Sequence, residues 1–366
     1  MGGRLVHIWV ERERSMKIVQ VISSSAPSGA EILAVNLAKQ LSRNGHEVHF
    51  VCPPNDWMGE ELSSFAHVHP MAMKKVGWLR SVRFVSQLVR DARIDVVHTH
   101  LTRASYIGGI VSLLTNVPCI TSAHVAHTDP FLRRFGVRKN RFVAVSDFVR
   151  QNLIANHIPD SRIDVVHNGT SMADLPSLER SARQDDGLVR FGIVGRIARA
   201  KGQAETLHAM RLLSDAGDRF QCHFIGRIDP TFEVEFQQLI SELGVARQVH
   251  LLGQRNNIPQ ILDELDFTLM PSAMEAFGMA AVESMARRRP VIASNVGGLP
   301  EVVEHGRTGI LINRDPQEIA SAILQMSENC QLRSEMGRTA HDVVKERFTL
   351  SKMALGIENS YLRALS

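Results

Sequence analysis

Two carboxylates eight residues apart, Glu275 and Glu283, lie in "PSAMEAFGMAAVESMARRRP" (271–290), a stretch otherwise apolar and rich in alanine. Such surroundings disfavour an ionised acid unless something pairs with it. With a helix beginning near Gly278, Glu275 stands in the preceding loop and Glu283 about one turn inside, roughly 7 Å along the axis. The two then line one cleft without sharing a helix face. Ionised oxygens accept hydrogen bonds from sugar and ribose hydroxyls, and the amides of Phe277, Gly278 and Met279 are placed to meet an anion at the helix start. Paired carboxylates also serve as the acid and base of glycosidases.

Two cations bear on that choice. In "FGIVGRIARAKGQ" Gly195 closes a strand, Arg196 follows it, and Lys201 precedes Gly202 at the start of a helix. An arginine fork and a lysine point charge on one strand-to-helix loop can converge on a pyrophosphate. The plainer alternative, with Arg199 beside them, is a solvated basic loop. A phosphate-type loop argues against a glycosidase. A third loop, "SSSAPSGAEILAV", runs through Ser28 and Gly29 into an amphipathic helix expected near Ala30. Small residues there let a phosphate or sugar reach the backbone and the helix start, although a glycine turn on its own reads first as structural. His98 and His100 of "DVVHTH" are two apart and share a strand face, and His124 ends "PCITSAH". His98 reads as structural and His100 as an acceptor-side residue. By residue type alone, His124 is a hydrogen-bonded strand-end histidine.

The elements that must position these residues are short β-rich runs alternating with helical stretches. "KIVQVIS", "EVHFVC", "DVVHTH", "PCITSAH", "RFVAVS" and "IDVVHNG" form a first set; "VRFGIVGR", "CHFIG", "VHLLG", "FTLMPS", "PVIAS" and "GILI" form a second. Runs this continuously apolar predict parallel strands covered on both faces, hence two doubly wound sheets. The polar segment "GTSMADLPSLERSARQDDG" (169–187) reads as the linker between them. The expected division is 16–180 for the first domain, 181–347 for the second, and a C-terminal helix in 348–366 packing back on the first. Residues 1–15 carry mixed charges around a very short apolar core and read as an extension or disordered tail ahead of Met16, not as a signal peptide.

Composition narrows the classes further. A chain of 366 residues with 44% hydrophobic content favours about two domains over one core, and excludes disorder. Its four cysteines have no CxxC or Cys/His ligand spacing, so neither a zinc site nor a disulfide framework is expected and the cytosol is the natural compartment. No run reaches the roughly 20 residues of a membrane span. A net charge of +4 suits a phosphate-bearing partner without calling for nucleic acid. The segments 73–90 and 131–142 mix Lys and Arg with Trp, Leu and Phe, as a helix or loop lying on an anionic membrane does. Apolar residues turned to the core explain the same pattern equally well.

Taken in order, these motifs resemble the retaining family 4 glycosyltransferases of the GT-B architecture, with Glu275 and Glu283 matching the "E-x7-E" signature. "DVVHTH", "TSAH", "VAVS", "VVHNG", "GIVGR" with "KG", "LLG", "PVIASNVGGLPEVV" and "GRTGILI" surround it at matching spacing. The resemblance implies an α/β GT-B fold, two Rossmann-like domains facing each other across a cleft. It also implies a cytoplasmic, retaining, metal-independent hexosyltransferase, peripheral at the inner face of the cell membrane. Such an enzyme moves a sugar from a nucleotide diphosphate, UDP by frequency among relatives, to a glycan or lipid-linked acceptor in envelope polysaccharide, lipopolysaccharide or glycolipid synthesis. The donor is a co-substrate, no cofactor is implied, and no DxD metal motif stands where one would be expected.

Carried over by position, Arg196 and Lys201 hold the diphosphate and Glu283 accepts from the ribose. Glu275, with the backbone of Phe277 and Gly278, orients the donor sugar; Gly29, Gly195 and Met279 complete the donor side. His124 faces the donor sugar near the reacting centre, and Asn168 and Gly169 form the "NG" turn before the hinge. The chain departs from the family at three places: Ser28-Gly29 replaces two glycines, Arg288 stands where a glycine commonly ends the helix, and "TSMADL" lacks the aspartate often found two residues after the "NG" turn. A left-handed Arg288 would be strained by roughly 1 kcal/mol. A GT-B sugar-nucleotide epimerase and a non-catalytic nucleotide-sugar-binding subunit are the competing readings.

Overall fold

Runs of β-branched and aromatic residues build two parallel sheets in the computed structural model, which describes residues 15–25, 28–73, 77–125, 129–135, 139–176, 187–213 and 219–366. The first sheet contains β1 (Lys17–Ile22), β2 (Glu47–Cys52), β3 (His67–Pro70), β4 (Val96–His100), β5 (Cys119–Ala123), β6 (Arg141–Ala144) and β7 (Ile163–Val165), in the order β3-β2-β1-β4-β5-β6-β7. It is flanked by α1 (Gly29–Arg43), α2 (Asp56–Leu62), α3 (Trp78–Asp91), α4 (Thr102–Thr115) and α5 (Asp147–Ala155). The second holds β8 (Val189–Val194), β9 (Phe220–Ile225), β10 (Val249–Gly253), β11 (Phe267–Met270), β12 (Val291–Ser294) and β13 (Gly309–Ile312), in the order β10-β9-β8-β11-β12-β13. Around it lie α6 (Gln203–Leu212), α7 (Glu233–Glu242), α8 (Ile258–Glu264), α9 (Met279–Ala286), α10 (Leu299–Val302) and α11 (Pro316–Glu328). The chain ends with α12 (Cys330–Arg347) and α13 (Leu350–Leu365).

Every run expected to be a strand is one. The strand not foreseen is β3, "HVHP", an edge strand whose polar residues give no apolar signal. Each sheet reverses its strand order once, between β1 and β4 and between β8 and β11. Ligands of doubly wound sheets sit beyond the carboxyl ends of the strands at such reversals. The loops after β1, β4, β8 and β11 are therefore the ones to inspect.

The two crossings between the sheets lie side by side. Thr170 bridges Thr349 and donates its N–H to the Phe348 carbonyl at 2.9 Å. A Cβ on Gly169 would sit 2.3 Å from the Thr349 carbonyl oxygen, so the "NG" glycine is set by this close approach. Past it, Arg287 of the RRR run is 2% exposed, pairs with Asp263, and donates to the Leu175 and Pro176 carbonyls at 3.0 and 2.7 Å. The first residues of the expected linker are thus anchored; 177–186 lie outside the described residues, as do 1–14.

After the return crossing, α13 packs on α1, β5 and β6. An apolar cluster joins the two halves: Val149 and Leu153 of α5 meet Phe277, Ala281, Val282 and Phe348.

The two basic, aromatic segments are divided between core and surface. In α3, Val82, Val85 and Val89 are buried, while Trp78, Leu79, Arg80 and Arg83 face outward at its start; residues 74–76 lie outside the described residues. In 131–142, Leu132 and Phe142 are buried and Arg141 is paired with Asp164 at 2.8 Å; residues 136–138 are not described. No described helix is long and apolar enough to cross a membrane.

Candidate active site

The loops after β8 and β11 meet at the second sheet's reversal. Lys201 Nζ is paired with Glu275 Oε1, which also accepts from Ser272 Oγ at 2.9 Å. The Ala273 N–H donates to the Ala200 carbonyl at 2.8 Å, lacing one loop to the other. Gly202 makes the approach possible: its φ is +79°, and a Cβ there would come within 1.9 Å of the Pro271 carbonyl oxygen. Gly195, at φ +140°, has nothing within 4 Å of a Cβ position and so leaves open space in front of the strand end.

Arg196 is exposed and lies 3.6 Å from Asp229. Its carbonyl accepts from the buried Gln203 side chain at 3.1 Å, which fixes the loop from behind. Arg199 turns away to pair with Glu235 and lies over the Phe232 ring, so it does not compete with Arg196 and Lys201. Beside this loop a pocket of about 340 Å³ is lined by Ile197, Arg227, Ile228, Glu233, Leu251 and Gln254, among others, at the ends of β8, β9 and β10.

The helix carrying the second acid, α9, starts at Met279, with Gly278 ahead of it at φ +104°. Phe277 is buried and stacks on His167, its ring 5.5 Å away, so only its backbone faces the loop. Glu283 is partly buried, and its carboxylate has no hydrogen-bond or ion-pair partner among the described residues. Burial pushes its carboxyl up to about 7. That leaves an unpaired carboxyl on the first turns of α9.

The first domain contributes a file of three histidines at the ends of β4 and β5. His98 bonds Tyr361 of α13 at 2.7 Å and Ser122 at 2.8 Å; His100 Nδ1 meets His124 Nε2 at 3.1 Å. Burial pushes His98 down to about 3 and His124 down to about 4, and lowers His100 strongly, so all three are neutral at pH 7. His100 is 1% exposed. Its contact with His124 places it behind that residue, away from open solvent. Asn168 lines a small cavity of about 20 Å³ with His100 and His124, room for about one water.

Ser28, the other acceptor-side expectation, precedes α1 and donates its hydroxyl to Glu31. Gly29 opens that helix, and a Cβ on it would have nothing within 4 Å. At the reversal itself, a pocket of about 450 Å³ is lined by Ser23, Thr102, Arg103 and Tyr106, and an apolar groove of about 300 Å³ with Met73, Trp78, Ile107 and Ile110 adjoins it through Arg103 and Tyr106.

Several residues around the site carried no linear signal. Ser272 and Gln203 act on Glu275 and Arg196 from neighbouring turns, and Arg103 and Tyr106 reach the first-domain pocket only because β4 sits beside β1. Ser146 caps α5, accepting from Val149 N–H at 3.1 Å, and donates to the Ala276 carbonyl of the acidic loop at 2.5 Å. A strand-to-helix serine ahead of an acidic first turn is a cap signal; its second bond crosses between domains and is invisible in sequence.

Comparison with known proteins agrees with this geometry. Residues 27–173 match the model for "Glycosyltransferase Family 4" and residues 177–343 that for "Glycosyl transferases group 1". The N-acetyl-alpha-D-glucosaminyl L-malate synthase of Bacillus anthracis is 23% identical, covering 92% of this chain and 94% of its own. The D-inositol 3-phosphate glycosyltransferase of Paenarthrobacter aurescens is 28% identical over 75% of this chain and 74% of its own. Among solved structures, a glycosyltransferase from Rickettsia africae superposes with a TM-score of 0.86 at 20% identity over 97% of this chain and 100% of its own. Anabaena Alr3699/HepE, solved with UDP and glucose, does so at 0.82 and 23% identity over 94% and 98%. With both halves matched in order and the two-sheet architecture shared, the chain is a GT-B glycosyltransferase of the family 4 type.

Proposed function

We propose that this enzyme transfers a sugar, with retention and without a catalytic metal, from a UDP-sugar to a lipid-linked or glycan acceptor. The observation that carries the reading is the Lys201–Glu275 pair beside Arg196 at the second sheet's reversal. Arg196 and Lys201 hold the diphosphate and stabilise the charge that grows on it as the bond to the anomeric carbon breaks. Glu275 orients the sugar, Glu283 accepts from the ribose, and the pocket of Ile197, Arg227 and Gln254 takes the base. UDP is favoured because Alr3699/HepE was solved with UDP and with UDP-glucose.

The acceptor hydroxyl enters from the first domain and adds to the face that the diphosphate leaves, its proton passing to the departing phosphate oxygen. Neutral His124, held by His100, hydrogen-bonds the donor sugar. The pocket at Arg103 suits an acceptor bearing a negative group, and two relatives are named for anionic compounds, L-malate and D-inositol 3-phosphate. The adjoining groove and the outward Trp78, Leu79, Arg80 and Arg83 favour a lipid-linked acceptor reached from an anionic membrane on the cytoplasmic side.

Labelled UDP-sugars incubated with lipid and glycan acceptors test this. Transfer is expected, and Lys201→Ala and Glu283→Ala should each lower kcat/KM at least about 100-fold. Interconversion of the donor would mark an epimerase, binding without transfer a subunit, and unaltered kinetics in both variants would remove the site assignment. Co-sedimentation with anionic vesicles at low salt is expected; its failure would leave a soluble acceptor.

A further inference from the structure

Away from the cleft, the amino ends of β2 and β3 bring together Glu47, His49, His67 and His69. The strands run parallel with His49 opposite His67, and Glu47, His49 and the two β3 histidines alternate onto one face. Oxygen of Glu47 and ring nitrogens of His49 and His67 all lie within 4.8 Å of one another. His49 Nε2 stands 3.0 Å from Glu47 Oε1, and its Nδ1 stands 3.0 Å from His69 Nε2. None of these residues takes part in the reaction proposed above, and the three proposed ligands sit at the amino ends of their strands.

We propose that Glu47, His49 and His67 form a binding site for a divalent transition-metal ion, Zn2+ by ligand type. Two imidazoles and a carboxylate are borderline donors that suit zinc, with water completing a four-coordinate shell. Tetrahedral ligands about 2.0–2.1 Å from the metal stand roughly 3.3 Å apart. The closing movement falls to His67, which is exposed and free to change rotamer, whereas His49 is buried and already beside Glu47. With Nε2 on the metal, His49 donates Nδ1–H to His69, the outer partner that fixes tautomer and ring plane in zinc sites. Lys17 holds the other Glu47 oxygen at 2.9 Å, leaving one oxygen for the ion.

The ion would clip the four-residue edge strand β3 to β2. No cysteine takes part, and ligands drawn from two strands leave no linear spacing pattern. This is why the sequence suggested no zinc site.

The test is zinc titration of the chelator-stripped full chain, followed by calorimetry and by competition with a chromophoric chelator. One equivalent of Zn2+ per chain is expected at micromolar affinity or tighter, with a melting temperature raised by a few degrees and restored by EDTA. His67→Gln, at an exposed position, should weaken binding at least about tenfold, as should Glu47→Gln, while His208→Gln on α6 should not. X-ray absorption of the zinc-loaded chain should show two imidazoles and oxygen. Absence of binding below about 100 µM, or wild-type affinity in both ligand variants, would overturn the site.

Discussion

Glu301, in the second domain, accepts the backbone N–H of Asp147, in the first, at 2.7 Å, and that of Phe148 at 2.9 Å. A side chain of one domain thereby caps a helix of the other, and His167 joins the same carboxylate at 3.4 Å. The acidic loop is tied to this contact, because Gly298 N–H donates to the Glu275 carbonyl at 3.0 Å and Gly297 allows that approach. Burial pushes the Glu301 carboxyl up, but the bonds from His167, Phe148 and Asp147 outweigh it and hold the group below its ordinary value of 4.5.

Glu301→Ala should therefore cost about 1–2 kcal/mol of stability and raise the donor KM more than it lowers kcat. A carboxyl depressed in the folded state stabilises above its unfolded value and loses that contribution as the pH falls through the folded one. Thermal melts of wild type and Glu301→Gln should accordingly differ at pH 7 and converge as the pH falls below 4.5. A gap that persists at low pH would count against the cap.

Glu283 carries the opposite sign. Its carboxyl is raised to about 7, so the folded chain binds that proton more tightly than the unfolded one and loses stability as the pH climbs from 4.5 through 7. Glu283→Gln should be more stable than wild type at pH 8, by up to about 3 kcal/mol, with no difference near pH 4. The same variant should bind UDP-sugar far more weakly, separating the residue's structural burden from its use.

Arg288 has φ +58°, the left-handed cap that glycine adopts without strain. Arg288→Gly should raise the melting temperature by about 1–2 °C, strain relief exceeding the entropy glycine adds to the unfolded chain, with kcat/KM unaltered. A lower melting temperature would show that the arginine's own contacts outweigh the strain.

His100 touches His124 and not the open cleft. His100→Phe should lower kcat about tenfold with little effect on donor KM, since it loosens the orientation of a neighbour without removing a donor contact. An unaltered kcat would show that His124 needs no support from it.

The apolar runs, their spacing and the motifs between them were enough to specify two doubly wound sheets and to bring Arg196, Lys201 and Glu275 to strand-to-helix loops and Glu283 into the helix that follows, because period and turn chemistry are local properties. Even the strain at Arg288 follows from where a helix must stop. Tertiary structure alone decided which loops face each other. The Lys201–Glu275 pair depends on Gly202 letting two loops touch, the burial of His100 on α13 returning to cover β5, the Glu301 cap on domains far apart in the chain, and the Glu47–His49–His67 cluster on the register of β2 against β3. Such contacts arise from the order of strands in a sheet and the packing of one domain on another, which no short window of residues encodes.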